Sequence, residues 1–503
     1  WPYPALVILA FAPALLAQGP ARPVQTQAGQ AQATTPSAAL DEILKGVAAY
    51  DGGIQSDALW KLRDYVYARK DDPAGRAECE TKIVQFLKTK ASPIAKMTVC
   101  RHLRIIGGDG SVPALQAMLA DETTADFAIY ALQLIPGSAP GQALVQALAK
   151  AKGVSKVAAK NATKTAIIAA LGERREAEAI PALVPLLATP EFAGAAALSI
   201  GRIGGDSAAQ ALVAAYPGAS ATLKPIVASS IMMCAEKALA AKNAGAALSL
   251  YEPLWADASL AAPQRMGAAI GRIAASGSGA PAVLLDLLGG SDPLGRDAAI
   301  AQINGTIAPE AIGQVCTRLA GLPADAQVKV IAALTGYPKD RALPTIVSAA
   351  KGNDATVRIA AMKALEKVGD ESVVPLLAEA AATARGPEQT AARTALGGLK
   401  GHASDEAVLV LLAKGPREAV QAELVLAVGE RRIFPAKRAI AALLESPSAK
   451  VRTQALKTLR TIGTPSDMFT VIDMLMKSAD DAERAEAETT ITALAQKTAN
   501  AEG

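Results

Sequence analysis

His102 and His402 are the only histidines in the 503-residue chain. A nucleophile works only within hydrogen-bond reach of its base, and these two imidazoles stand in distant segments. His102 follows Cys100 in "TVCRHLRIIGG", but helix positions this close in sequence point in different directions and do not share a site. Both histidines are read as surface or helix-end groups. Cys79, Cys100, Cys234 and Cys316 are scattered, with no Cys-x-x-Cys. They are read as small buried apolar residues, a Cys79–Cys100 bridge being the alternative. The acidic pairs Asp71–Asp72 and Asp480–Asp481 suit turns and helix starts, not metal ligation. "SGSGAP" and "IIGGDGS" lack the Lys-Ser/Thr of a phosphate loop. The expectation is a chain without catalytic residues, metal or cofactor. One charged cluster stands out: "KAKGVSKVAAKNATKTA", residues 150–166, carries five lysines and no acid. Lys156, Lys160 and Lys164 recur at i, i+4 and i+8, where like charges oppose the helix. With Lys152 and the following Arg174 and Arg175 they form a candidate surface for an acidic protein partner or an anionic envelope polymer. A plain solvated face is the competing reading.

The elements that would carry such a surface are set by proline and glycine. In "ALEKVGDESVVPLL" (364–377) an apolar helical pattern stops at Gly369, Asp370 or Ser372 caps a second helix, and Pro375 occupies its first turn, where no backbone donor is lost. The same punctuation returns at Pro113, Pro181, Pro281, Pro344 and Pro435. From Pro113 to Pro435 ten units fit at about 32 residues each, the signature of a helical solenoid. Gly201 and Gly271, inside helical patterns, suit close helix contacts. Asp354, four residues before Arg358, is placed to pair with it along one helix.

At these repeats "VRIAAMKALEKVGDESVVPLLAEA" and "VRTQALKTLRTIGTPSDMFTVIDML" resemble HEAT repeats of the short bacterial kind related to phycobilisome-lyase repeats. The resemblance implies an all-α, right-handed α-α superhelix of about 11–13 helical hairpins, an armadillo-like scaffold. The "GERR" turns at 172–175 and 429–432 also resemble the HEAT segments of secreted bacterial proteins that often precede a 3-keto-disaccharide hydrolase-like domain.

The organisation expected along the chain begins with an apolar run, Ala5–Ala17, of signal-peptide length, so residues 1–17 read as a signal remnant. The sequence opens at Trp1 with no methionine or basic residues before this run, and a truncated start is expected. Residues 18–39 read as a disordered linker, 40–90 as an N-terminal helical cap, and 91–218 as HEAT-like repeats. An irregular tetratricopeptide-like hairpin follows at 219–257, further repeats at 258–480, and a capping helix and tail at 481–503. Tyr50, Trp60, Tyr65, Tyr67 and Phe86 are read as packing of the cap, a sugar-stacking patch being the alternative.

Fifty-one basic and 47 acidic residues leave a net charge of +4, too even to announce nucleic acid. The mixed charge and low aromatic content also argue against a DNA-handling fold resembling the alkylpurine glycosylases. The function expected is an exported, non-catalytic, monomeric scaffold in the periplasm or outside the cell. It would bind a protein through its concave face or turn edges and have no transmembrane span in the mature chain. The alternative is the scaffold of a secreted carbohydrate-processing enzyme whose catalytic domain lies outside these residues.

Overall fold

The computed structural model describes residues 36–53, 56–151, 153–155 and 157–499. The signal-like run and residues 18–35 of the expected linker lie outside the described residues. The linker's end is corrected: a helix spans Pro36–Ala48, and its Leu40 is fully buried. Among the described residues every regular element is a helix. The chain divides into two compact units, Trp1–Ala147 and Leu148–Gly503, so the expected cap shares a unit with the first repeats.

In the first unit the helices Asp57–Tyr67, Pro93–Ile106 and Ala125–Leu134 pack side by side in that order. The start of helix Pro93–Ile106 is fixed locally. Ser92 accepts a bond from Ala95 N (3.2 Å), with Pro93 in the first turn, and its own hydroxyl donates to Tyr50 O (2.8 Å). Capping of this kind is worth about 1 kcal/mol. Helix Pro73–Leu87 ties down the next turn: Arg76 Nε donates to Ile106 O (2.9 Å), and Glu80 accepts from Gly108 N (2.8 Å) and Ser111 Oγ (2.7 Å).

In the second unit a row of helices runs Ala158–Arg174, Pro190–Ile203, Lys224–Ala240, Ala262–Ala275 and onward to Asp481–Ala499, each against the next, with shorter helices between. The proline rule holds at Pro113, Pro181, Pro281, Pro375 and Pro435, all in a first turn. Pro344 is the exception, lying inside helix Lys339–Ala349. The bond it forgoes would have gone to the carbonyl of exposed Asp340, which water can reach. Asp370, not Ser372, supplies the cap, accepting from Ser372 N at 2.9 Å. The irregular hairpin is helix Lys224–Ala240, a left-handed Lys242, and helix Ala244–Ala256 capped by Asn243.

Glycines set how closely the row packs. A Cβ at Gly172 would stand 2.8 Å from the backbone of Ser199, and one at Gly201 would stand 2.9 Å from that of Ser230. Four residues before Gly172, Ile168 O accepts a bond from Ser199 Oγ (2.8 Å); Val425 O, four before Gly429, accepts one from Thr458 Oγ1 (2.8 Å). The missing side chain lets the next helix come close enough for its hydroxyl to reach that carbonyl.

Arginines join the repeats. Arg358 grips Glu388 with two bonds (2.6 and 2.8 Å), Arg393 grips Glu423 (2.6 and 2.7 Å) and Arg452 grips Glu483 (2.7 and 3.2 Å), each pair one repeat apart. The expected Asp354–Arg358 pair is therefore replaced by a bond across repeats. Asp354 instead caps helix Ala355–Val368, accepting from Thr356 N and Val357 N. All four cysteines are free; burial pushes the Cys100 thiol up to about 12 and Cys234 up to about 11.

Candidate functional site

Two neighbouring helices of the first unit build the most chemically distinctive surface. On helix Asp57–Tyr67, Trp60, Arg63 and Tyr67 follow at i, i+3 and i+7; on helix Pro93–Ile106, Met97, Arg101 and Arg104 do the same at i, i+4 and i+7. Such spacings put each set on one face. Between them lies an open cavity of about 270 Å³, also bordered by Tyr50 and His102. Among the described residues none that borders it is acidic. Helix Pro93–Ile106 contains no carboxylate at all, so no i±4 partner inside it can neutralise its arginines.

Trp60, Tyr67 and Tyr130 are exposed, at 38%, 48% and 40%. This corrects the reading of these aromatics as packing of a cap: Phe86 is buried, whereas Trp60 and Tyr67 face the cavity. Helical spacing shows which residues share a face, but not whether another element covers it. The guanidinium of Arg63 lies over the Trp60 ring (4.3 Å) while bonding Asp64 (2.7 and 2.9 Å). Arg104 lies over the Tyr130 ring (5.7 Å) and donates to its hydroxyl (2.7 Å). Arg101 donates to the Met97 sulfur, at 3.8 Å. Among the described residues neither Arg101 nor Arg104 has a carboxylate partner, unlike Arg358, Arg393 and Arg452.

His102 is also corrected: it is buried, 8% exposed, and among the described residues its Nδ1 has no hydrogen-bond partner. Burial, reinforced by Arg104, Arg101 and Arg63, lowers its pKa to about 4. At neutral pH it is an uncharged imidazole and a weak base, far from the pKa near 7 that suits proton transfer. The hydroxyl closest in sequence, Thr98 Oγ1, donates to Ile94 O (3.1 Å). What the surface offers is fixed positive charge beside aromatic rings. His402 is on the surface, 3.5 Å from Glu406. Among the described residues no group of three His, Cys, Asp or Glu side chains is placed to hold a metal.

The described members of the basic cluster read from sequence are divided between surface and interior. Lys152 and Lys156 lie outside the described residues, and Lys160 and Arg175 are exposed. Lys164 is buried: its ammonium donates to Ala151 O (2.8 Å) and Gly153 O (3.1 Å) and lies over the Phe192 ring at 4.6 Å. Arg174 is also turned inward, 3.8 Å from Glu176, while Arg175 adopts φ 55° to close its helix. Arg431, in the second "GERR" turn, shows why the arginine in this place points inward. It donates to the carbonyls of Leu396, Gly397 and Leu399 in the preceding repeat. Arg101 and Arg104 escaped the sequence reading, although "PIAKMTVCRHLRII" shows the same want of acids as the lysine-rich stretch.

Residues 314–397 match the family model of HEAT repeats. Among solved structures the chain is similar to the karyopherin Kap121p bound to the extreme C-terminus of the protein phosphatase Cdc14p, with 12% identity and a TM-score of 0.39, covering 92% of this chain and 66% of that one. It is similar to importin beta, with 12% identity, a TM-score of 0.34, and 91% and 80% of the two chains covered. Human deoxyhypusine hydroxylase gives 17% identity, a TM-score of 0.20, and coverage of 65% and 97%. The chain thus spans just under two thirds of the karyopherin's length. No curated protein matches it by sequence. The helices described above, stacked side by side within each unit, are those of an α-helical repeat solenoid, and residues 314–397 are HEAT-type repeats within it. No single helix among the described residues is long and apolar enough to cross a membrane.

Proposed function

We propose that this solenoid is an exported, non-catalytic scaffold that holds a protein partner. The observation that carries the reading is the surface of the first unit, where Trp60, Arg63, Tyr67, Arg101 and Arg104 surround a cavity without an acid–base couple. Exposed aromatic and arginine side chains grouped in this way are the residue types that dominate binding energy at protein interfaces. The apolar run Ala5–Ala17 supports export. Catalysis is not part of the reading because the histidine that borders the cavity is a weak base at neutral pH.

The test is site-specific photo-crosslinking from Leu134, exposed beside Tyr130 on helix Ala125–Leu134, and, as a control, from exposed Val410 in the second unit. The expected result is a discrete protein adduct from the Leu134 site in cell-envelope extract and none from Val410. Equal labelling from both sites, or turnover of a glycoside panel by the purified chain, would overturn the proposal.

A further inference from the structure

We infer that the cavity between helices Asp57–Tyr67 and Pro93–Ile106 is a recognition site for an acidic peptide segment that carries an apolar or aromatic side chain. This rests on the protein-binding reading above and names the chemistry of the partner.

Three observations select the ligand. The first is charge. Arg63, Arg101 and Arg104 border the cavity, no carboxylate does, and the last two have no carboxylate partner among the described residues. Guanidinium is a donor only, so the complementary group is an acceptor-rich anion, and a carboxylate matches its fork. The second is size. About 270 Å³ is below the roughly 300–1,000 Å³ of cavities that engulf whole small molecules and suits a single side chain resting on Trp60 and Tyr67. The third is extent. Beyond the cavity the surface continues through Arg104 and Tyr130 to the exposed Leu134. Three packed helices span roughly 20 Å at the usual interaxial spacing of about 8–10 Å, the length of about six residues of extended chain.

The same features disfavour other anions. Sugar hydroxyls need acceptors as well as donors, and among the described residues no Asp, Glu, Asn or Gln borders the cavity, whose side-chain acceptors are the Tyr50, Tyr67 and Thr98 hydroxyls and the His102 ring. Single-stranded nucleic acid stacks successive bases on a series of open ring faces, whereas this cavity of about 270 Å³ takes one side chain and Trp60 and Tyr130 each carry a guanidinium over one of their two faces. Of these two stacked guanidinium groups, Arg63 spends its Nε and one terminal nitrogen on Asp64, whereas Arg104 spends one terminal nitrogen on the Tyr130 hydroxyl and keeps its remaining donors for a carboxylate. His102, kept neutral and buried with Nδ1 unpartnered, adds an uncharged polar wall in place of a fourth cation.

The experiment uses the full chain and four fluorescein-labelled probes read by anisotropy across a salt series. The probes are a hexapeptide of alternating Glu and Phe, its Gln–Phe and Glu–Ala counterparts, and an oligouronate of equal charge; an oligothymidylate serves as a further competitor. The Glu–Phe peptide is expected to bind at least about tenfold more tightly than either counterpart, with affinity falling as salt rises. Arg101→Gln/Arg104→Gln should abolish that preference. Both arginines are exposed, so the fold is expected to persist, and circular dichroism verifies it. Trp60→Leu should weaken the Glu–Phe peptide and leave the weak Glu–Ala binding unchanged. Equal binding of the Glu–Phe and Gln–Phe peptides, tighter binding of the oligouronate or oligothymidylate, or full binding by the double Gln variant would each overturn the inference. A protein adduct at Leu134 that survives in the double Gln variant would leave the scaffold reading standing and sink this one alone.

Discussion

Helix Pro190–Ile203 contains two glycines in different surroundings, and exchanging each for alanine separates helix propensity from close packing. At Gly194 a new Cβ would meet only the Ile226 Cδ1 methyl, at 3.4 Å, the end of a side chain that can give way. Alanine is favoured over glycine in a helix by about 1 kcal/mol, so Gly194→Ala should stabilise by up to about that amount. At Gly201 the new Cβ would stand 2.9 Å from Ser230 Cα and 3.0 Å from Ser230 O. No rotamer change relieves a clash with backbone, so the helices must separate. Overpacking costs about 1–3 kcal/mol, and a contact under 3.0 Å belongs at the upper end. After subtracting the propensity gain, Gly201→Ala should destabilise by about 1–2 kcal/mol. Repeat arrays need not unfold in one step, so the readout is native-state hydrogen exchange of amides in helices 190–203 and 224–240, alongside the melting temperature. Protection there should rise in Gly194→Ala and fall in Gly201→Ala. If Gly201→Ala equals or exceeds the parent in protection, close approach of these helices does not depend on the missing side chain, and the packing argument fails.

Three further outcomes are expected. Glu423 is 3% exposed and is held by Arg393, whose side chain keeps about a third of its surface in water. Arg393→Ala should therefore cost about 2–3 kcal/mol, just under the 3–5 of a fully buried pair; chemical denaturation that shows no loss would refute this. His102 has its pKa lowered to about 4 from 6.5, so the unfolded chain binds the proton more readily. Its contribution is complete above pH 6.5 and is lost as pH falls towards 4, by roughly 3 kcal/mol over that window. His102→Leu should flatten this slope, and a parent whose stability is level between pH 6.5 and 4.5 would contradict it. Lys164→Met should cost about 1–3 kcal/mol through the lost bonds to Ala151 O and Gly153 O, with increased hydrogen exchange at residues 157–164 and no change in polyanion binding. A variant of unchanged stability that loses polyanion binding would return Lys164 to the surface role.

The repeat and its caps were legible because they are written locally. A proline favoured in a first turn, a glycine at a helix end and an aspartate before a helix each act within four residues, and a period near 32 repeats them. What could not be read is decided one repeat away. Asp354 and Arg358 have ideal i, i+4 spacing, yet Arg358 turns to Glu388 because the next helix offers a carboxylate that takes both guanidinium edges, while Asp354 is spent on backbone donors. Lys164 fits a stripe on a helical wheel, yet the chain folds back so that two carbonyls at the end of helix Ala139–Lys150 and the loop after it claim the ammonium. The periodicity places a residue on a face and is silent about what covers that face.

That silence also hid the candidate site, and the cross-repeat pairs explain why it is distinctive. In the second unit Arg358, Arg393 and Arg452 each find a glutamate one repeat ahead, a use of arginine that joins neighbours and consumes the charge. Helix Pro93–Ile106 has arginines at 101 and 104, and the helix one step ahead, Ala125–Leu134, meets Arg104 with a tyrosine hydroxyl and not a carboxylate. A phenol accepts one hydrogen bond and neutralises nothing, so it orients the guanidinium while leaving its charge for something else. Where the repeat's usual pairing would have cancelled the cation, this unit fixes its direction and keeps it positive, with aromatic surface on either side. Tyrosine at 130 orients Arg104 through its hydroxyl and ring and leaves the charge to an anion from outside the chain.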